Sequence, residues 1–188
     1  AIEQYLEGNI EKAKKLKVGN GAALVTNPGT GEILAMIGAK DYFASDSGKV
    51  NVTLAQRSPG SSIKPLYYAL GFLKGTTTPA TAWIDARYCF PPVGGKTYCP
   101  QNYDGKFHGV VQTRFALGNS LNIPAVKEIA LNRVEDFIAT ASAMGISTFN
   151  DKNRFGFSLT LGGGEVTMTD MAVAFGVFSN AGRRQDLI

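Results

Sequence analysis

The chain has 188 residues, 44% of them hydrophobic and 18% charged, which suits one domain with its own core and is too apolar for a disordered chain. The net charge of +4 is a mild excess, and its densest cluster, Lys12, Lys14, Lys15 and Lys17, reads as a solvated helix face with no nucleic-acid motif around it, so nucleic acid is not an expected partner. No apolar run is long enough to span a bilayer and no secretory signal is visible.

Residues 1–17 read as an amphipathic helix with Ile2, Leu6, Ile10 and Ala13 on one face. Gly19-Asn20-Gly21 ends it. Residues 22–26 read as a buried strand, Asn27-Pro28-Gly29-Thr30-Gly31 as a turn and residues 32–38 as a second strand, together a β-hairpin. Residues 39–57 are polar and irregular. Pro59-Gly60 turns the chain into an apolar helix over residues 61–73. Pro65 is tolerated there because it falls in the first turn, where a backbone N–H lacks a partner anyway. Lys74-Gly75 stops that helix.

Residues 76–110 read as a long loop rich in aromatics: Trp83, Tyr88, Phe90, Tyr98, Tyr103 and Phe107. Loops this long inside a compact domain are usually functional. Cys89 and Cys99 lie in it, placed either to form a disulfide in an oxidising compartment or to remain two free thiols; the reading leans to the bond. Two cysteines and one histidine are too few for a zinc site, so no metal is expected. His108 is the single histidine. With no Gly-x-Ser-x-Gly elbow beside it, it reads as a structural hydrogen-bonding residue and not a catalytic one.

A short helix is expected over residues 113–118 and another over 125–131, with Pro124 marking its start. Residues 134–144 form a further helix stopped by Gly145. Leu161-Gly162-Gly163-Gly164-Glu165 lacks the Lys-Ser/Thr ending of a phosphate loop, so it reads as a place where backbone passes close to backbone. The last helix is capped by Thr167 with Asp170 three on. Met168, Met171, Phe175 and Phe178 fall on one of its faces, and the methionines read as core filler and not a cofactor box.

Two short patterns carry chemistry. Ser61 and Lys64, three apart at the start of a helix, share a face near the positive end of the helix dipole. A serine needs an adjacent base to become a nucleophile, and a lysine is a base only when burial or nearby positive charge lowers its pKa. Ser120 and Asn122 form a Ser-x-Asn in which both side chains point the same way if the segment is extended; the plainer reading is helix capping. Either pattern alone occurs by chance.

Together they do more. The Ser-x-x-Lys within Arg57-Ser58-Pro59-Gly60-Ser61-Ser62-Ile63-Lys64-Pro65 and the Ser-x-Asn within Gly118-Asn119-Ser120-Leu121-Asn122-Ile123-Pro124-Ala125-Val126-Lys127 occur in that order. They stand with the hairpin over 22–38, the Asn102-Tyr103-Asp104-Gly105 loop and the Leu161-to-Thr167 helix start. In this combination the chain resembles the transpeptidase domain of a class A (bifunctional) penicillin-binding protein over nearly its whole length.

That resemblance implies an α+β fold of the penicillin-binding protein and serine β-lactamase type, an antiparallel sheet flanked by helices. It implies that Ser61 attacks the D-Ala-D-Ala carbonyl of a peptidoglycan stem peptide, that Lys64 takes the serine proton, that Ser120 relays a proton to the leaving amine, and that Asn122 binds the substrate amide and orients Lys64. β-Lactams would acylate Ser61 as substrate mimics. No cofactor or metal is implied. The implied location is extracytoplasmic, in the periplasm or on the outer face of the bacterial plasma membrane, with a glycosyltransferase domain and a membrane anchor upstream. The family's third motif, Lys-Thr-Gly, has no counterpart: Lys96-Thr97 is followed by Tyr98 and precedes the Ser-x-Asn. Residues 1–18 are therefore expected to be an N-terminal helix or linker and 19–188 the N-terminal portion of the domain, with the remaining strands on a companion polypeptide. A serine β-lactamase is disfavoured because Ser120-Leu121-Asn122 lacks the Asp common in the middle position there. A β-lactam-sensing or inactive module is the alternative.

Overall fold

The computed structural model describes residues 1–43, 46–93, 96–151 and 154–188. Ala44 and Ser45 of the expected irregular loop, and Gly94 and Gly95 of the expected aromatic loop, lie outside the described residues. The chain divides into two compact units, one of residues 1–57, 143–148 and 165–188 and the other of residues 58–142 and 149–164.

In the first unit, helix α1 spans Ile2–Lys12 and tightens into a 3₁₀ turn at Lys14–Leu16. The α-helix is thus shorter than the expected 1–17. Only Ile10 is fully buried on it, so little packing holds a last α-turn against the tighter 3₁₀ form. Strands β1 (Ala23–Thr26) and β2 (Ile33–Ile37) pair antiparallel, with Leu24 opposite Met36. The turn between them closes by Asn27 N–H donating to Glu32 O (2.8 Å) and Gly31 N–H to Asn27 O (2.8 Å). Gly31 needs its φ of +82° and sits against the Asp186 carbonyl, so no Cβ fits. The first strand is only part-buried, contrary to expectation, with Val25 exposed; Leu34 and Met36 of β2 also leave apolar surface in solvent. The last helix of this unit (Met168–Ser179) has the expected cap, Thr167 Oγ1 accepting from Asp170 N–H at 3.0 Å. Its buried residues are Val173 and Ala174. The expected face is corrected: Met168 and Met171 are half-buried, and Phe175 and Phe178 are exposed, stacked edge-to-face at 5.9 Å. A helix apolar on every side gives its periodicity no means of choosing a buried face.

The second unit carries the chemistry-bearing motifs. A 3₁₀ turn at Gly60–Ile63 runs directly into helix α2 (Lys64–Lys74), which ends at Gly75 in the left-handed conformation, φ +67°. The expected 76–110 loop contains four short strands. β3 (Ala82–Asp85) pairs with β6 (Gly109–Gln112), and β4 (Phe90–Val93) with β5 (Lys96–Tyr98), all antiparallel. These strands are three or four residues long, β4 holds Pro91 and Pro92, and β3 pairs with a strand more than twenty residues on. None of this leaves a local period to read. Cys89 and Cys99 are bonded across the β4–β5 hairpin.

Helix α3 spans Thr113–Gly118 and α4 spans Asn122–Asn132, beginning before the expected residue 125 because Pro124 fits inside the first turn. Helix α5 follows at Val134–Ala143. The core joins α2 and α4: Ile63, Leu66, Tyr67, Ile123, Val126, Ile129 and Phe137 are fully buried. The Tyr67 and Phe137 rings meet edge-on at 5.6 Å. The glycine run behaves as expected. Gly162 (φ +86°) lies so near the Gly60 backbone that a Cβ would collide with it, and Ser58 Oγ donates to Gly162 O at 2.7 Å. That contact locks the turn before α2 onto the loop following the Phe157–Leu161 3₁₀ turn.

Candidate active site

Ser61 lies inside the 3₁₀ turn and Lys64 is the first residue of α2. The Lys64 N–H donates to Ser61 O, closing the turn. In a 3₁₀ turn, side chains three apart eclipse, so the expected common face holds in a tighter form. Ser61 is exposed, and among the described residues its hydroxyl makes no hydrogen bond. Lys64 is only 1% exposed.

Four oxygens surround the Lys64 ammonium. It donates to Ser120 O (2.7 Å), Ser120 Oγ (3.1 Å), Leu121 O (3.2 Å) and Asn122 Oδ1 (2.7 Å). Burial lowers its pKa from the ordinary 10.5 to about 8. The α2 and α4 starts thus meet at one side chain, and Lys64, Ser120 and Asn122 come together. Ser61 joins them as a wall of the same cavity and not through a hydrogen bond to Lys64.

Ser120 and Asn122 converge for a reason other than extended alternation. Helix α3 ends in a Schellman turn: Leu121 N–H donates to Ala116 O (2.9 Å) and Ser120 N–H to Leu117 O (3.0 Å). Ser120 takes the left-handed position of that turn, φ +53°, where glycine is usual. Leu121 is extended (φ −63°, ψ 138°) and Asn122 opens α4. The abrupt reversal aims Ser120 Oγ and Asn122 Oδ1 at the same ammonium.

The cavity has a volume of about 390 Å³. Ser61 and Asn119–Asn122 line it on one side, and Asn102, Tyr103, Asp104 and His108 on the other. His108 has the expected hydrogen-bonding role. Its Nδ1 meets Asp85 Oδ2 at 2.8 Å and its Nε2 meets Asp104 Oδ2 at 3.2 Å. Beneath it lies an arrangement that the sequence reading did not identify. Asp85, fully buried, accepts from Asn102 Nδ2 (2.8 Å) and from the His108 N–H (2.9 Å). Asn102 Oδ1 accepts from the Asn122 N–H at 2.7 Å. Asn102 belongs to the Asn102-Tyr103-Asp104-Gly105 loop, but nothing local connects it to residue 122. Among the described residues no group of acidic, cysteine and histidine side chains could hold a metal ion, and no helix is long and apolar enough to cross a membrane.

Residues 21–187 match the family model described as the penicillin binding protein transpeptidase domain. Penicillin-binding protein 1A of Aquifex aeolicus is 33% identical over 179 residues, covering 95% of this chain and 24% of that protein. Penicillin-binding protein 4 of Bacillus subtilis is 29% identical over 189 residues, covering 97% and 29%. The crystal structure of penicillin-binding protein 1A from Haemophilus influenzae superposes with a TM-score of 0.75 at 26% identity, over 90% of this chain and 27% of that one. The PonA1 protein from Mycobacterium tuberculosis in complex with penicillin V shares the fold, with a TM-score of 0.75 at 19% identity over 98% of this chain and 50% of that one. The chain spans about a quarter of the length of the curated relatives it matches. By the family match across residues 21–187 and by the shared fold, the chain belongs to the penicillin-binding protein transpeptidase domain family.

Proposed function

We propose that this chain carries the acylation centre of a peptidoglycan D,D-transpeptidase. The observation that carries the reading is the buried Lys64 ammonium bound to both Ser120 Oγ and Asn122 Oδ1, beside a cavity onto which the unpartnered Ser61 hydroxyl opens. Ser61 Oγ adds to the carbonyl carbon of the D-Ala-D-Ala bond while its proton passes to neutral Lys64. The Ser61 backbone N–H supplies one oxyanion donor. As the C–N bond breaks, the leaving D-Ala amine takes a proton relayed from Lys64 through Ser120, leaving an ester on Ser61. An amine of a second stem peptide attacks that ester, forming the cross-link amide and returning the proton to Ser61. Asn122 binds the substrate amide and holds Lys64. A β-lactam enters the same way, its ring amide opening onto Ser61.

Residues 19–188 are assigned to the N-terminal portion of the transpeptidase domain and 1–18 to an N-terminal helix or linker. Stem peptides and β-lactams are the partners. The Cys89–Cys99 bond fits an extracytoplasmic, oxidising location. The test is labelling of the full-length protein by a fluorescent penicillin, followed by peptide mapping. Label on Ser61 is expected, lost in Ser61→Ala and slowed about 10²–10⁴-fold in Lys64→Ala. The base must be neutral, so the rate should climb with pH through about 8. A folded Ser61→Ala variant that labels like the parent sinks the proposal.

A further inference from the structure

Asn122 opens α4, and Leu121 before it offers no side-chain cap. Its N–H is one of the donors a helix start leaves without an intrahelical partner. Here the partner comes from another segment, Asn102 Oδ1 at 2.7 Å. Asn102 is itself 5% exposed and donates from Nδ2 to both Asp85 oxygens (3.0 and 2.8 Å) and to Lys106 O (2.8 Å). The Asn122 side chain is held from the same quarter, Nδ2 donating to Gln101 O at 2.7 Å, while its Oδ1 accepts from Lys64. Asp85 also accepts from the His108 backbone N–H and lies 2.8 Å from its ring Nδ1, tying down both ends of the 102–108 wall. One fully buried carboxylate therefore fixes an amide that fixes the helix start on which Lys64 depends.

Building on the acylation reading above, we propose that Asn102, anchored by Asp85, is a positioning residue for the reaction at Ser61. It touches neither the reacting atoms nor Lys64. It sets where Asn122 Oδ1 stands and so keeps Lys64 directed at the cavity. Small displacements of a catalytic group cost rate more than affinity.

Saturation kinetics of fluorescent-penicillin acylation, run on the full-length protein, test this. Asn102→Ala and Asp85→Ala should each lower the limiting acylation rate about tenfold or more while the half-saturating concentration moves less than about threefold. Asp85→Asn, which still accepts from Asn102, should recover most of that loss. A folded Asn102→Ala with the parent's limiting rate, or one altered only in half-saturation, overturns the proposal. If Asn102→Ala does not fold, the Asp85 pair decides: Asp85→Ala slowed about tenfold with Asp85→Asn close to the parent supports the proposal, and a folded Asp85→Ala with the parent's limiting rate overturns it. Titration of the Lys64 side chain by ¹³C NMR separates this proposal from the function itself. Losing a fixed acceptor destabilises the ammonium, so Asn102→Ala should shift the Lys64 midpoint to lower pH by about 0.5 or more. An unmoved midpoint overturns the positioning role whether or not the parent protein reacts with penicillin.

Discussion

Ser120 shows why one residue sits where its backbone resists it. A non-glycine side chain at φ +53° costs about 1 kcal/mol relative to glycine. The surrounding turn nevertheless holds it, and the hydroxyl so placed reaches Lys64. Strain of this kind persists where the rest of the structure over-determines a site. The Ser120→Gly variant separates the two effects. Thermal unfolding should show it as stable as the parent or more stable by about 1 kcal/mol, while penicillin acylation falls for want of the hydroxyl. A loss of stability would mean that the Lys64 contact outweighs the backbone cost. The Ser-x-Asn spacing was visible in the sequence. Its geometry was not, because a left-handed serine is set by the Schellman bonds to Ala116 and Leu117 and not by its own preference.

At the scale of elements, α2 and α4 are joined by a buried polar cluster as well as by apolar contact. Glu128 Oε1 accepts from Thr77 Oγ1 (2.8 Å) and Asn132 Nδ2 (3.0 Å), in space that exists because Gly71 has no Cβ. Glu128 Oε2 and the nearby Tyr68 hydroxyl have no hydrogen-bond partner among the described residues. Burial raises Glu128 from the ordinary 4.5 to about 7, against the lowering effect of the Thr77 and Asn132 bonds. The native state therefore binds this proton more tightly than the unfolded chain does. The stability it contributes is complete below about pH 4.5 and is lost as pH rises through about 7. The loss is about 3 kcal/mol. Glu128→Gln should flatten that slope, measured as urea midpoints at about pH 5 and pH 8. A parent protein equally stable at both would show that the carboxyl is ionised throughout. Sequence periodicity marked both helices but carried no signal for Glu128. The carboxyl is inside because α4 is covered on that side by α2, which is a tertiary fact.

Over the whole molecule, burial is uneven. In one unit, α2 and α4 contribute a run of side chains with no exposure, among them Leu66, Tyr67, Ile123 and Ile129. In the other, the β1–β2 hairpin shows Val25, Ile33, Leu34 and Met36 to solvent. Opening free energy follows buried apolar contact. Hydrogen exchange followed by mass spectrometry should find the slowest amides in 64–74 and 122–132 and distinctly faster ones in 23–37. Equal protection in the two sets would contradict the link between exposure and opening.

The sequence by itself determined what short-range chemistry can specify. That includes the first hairpin, the helix stops at Gly75 and Gly145, the Thr167 cap, the Pro65-led helix and the Ser-x-x-Lys and Ser-x-Asn pair. These depend on neighbours within about one or two turns, so residue type and spacing carry them. The tertiary structure alone decided the β3–β6 pairing, the buried face of the last helix and the path from Asp85 through Asn102 to Asn122. Each of these joins residues far apart in the chain or selects among equally apolar faces. A local pattern holds no information about which distant partner supplies the missing hydrogen bond or covers the surface, so only packing settles it.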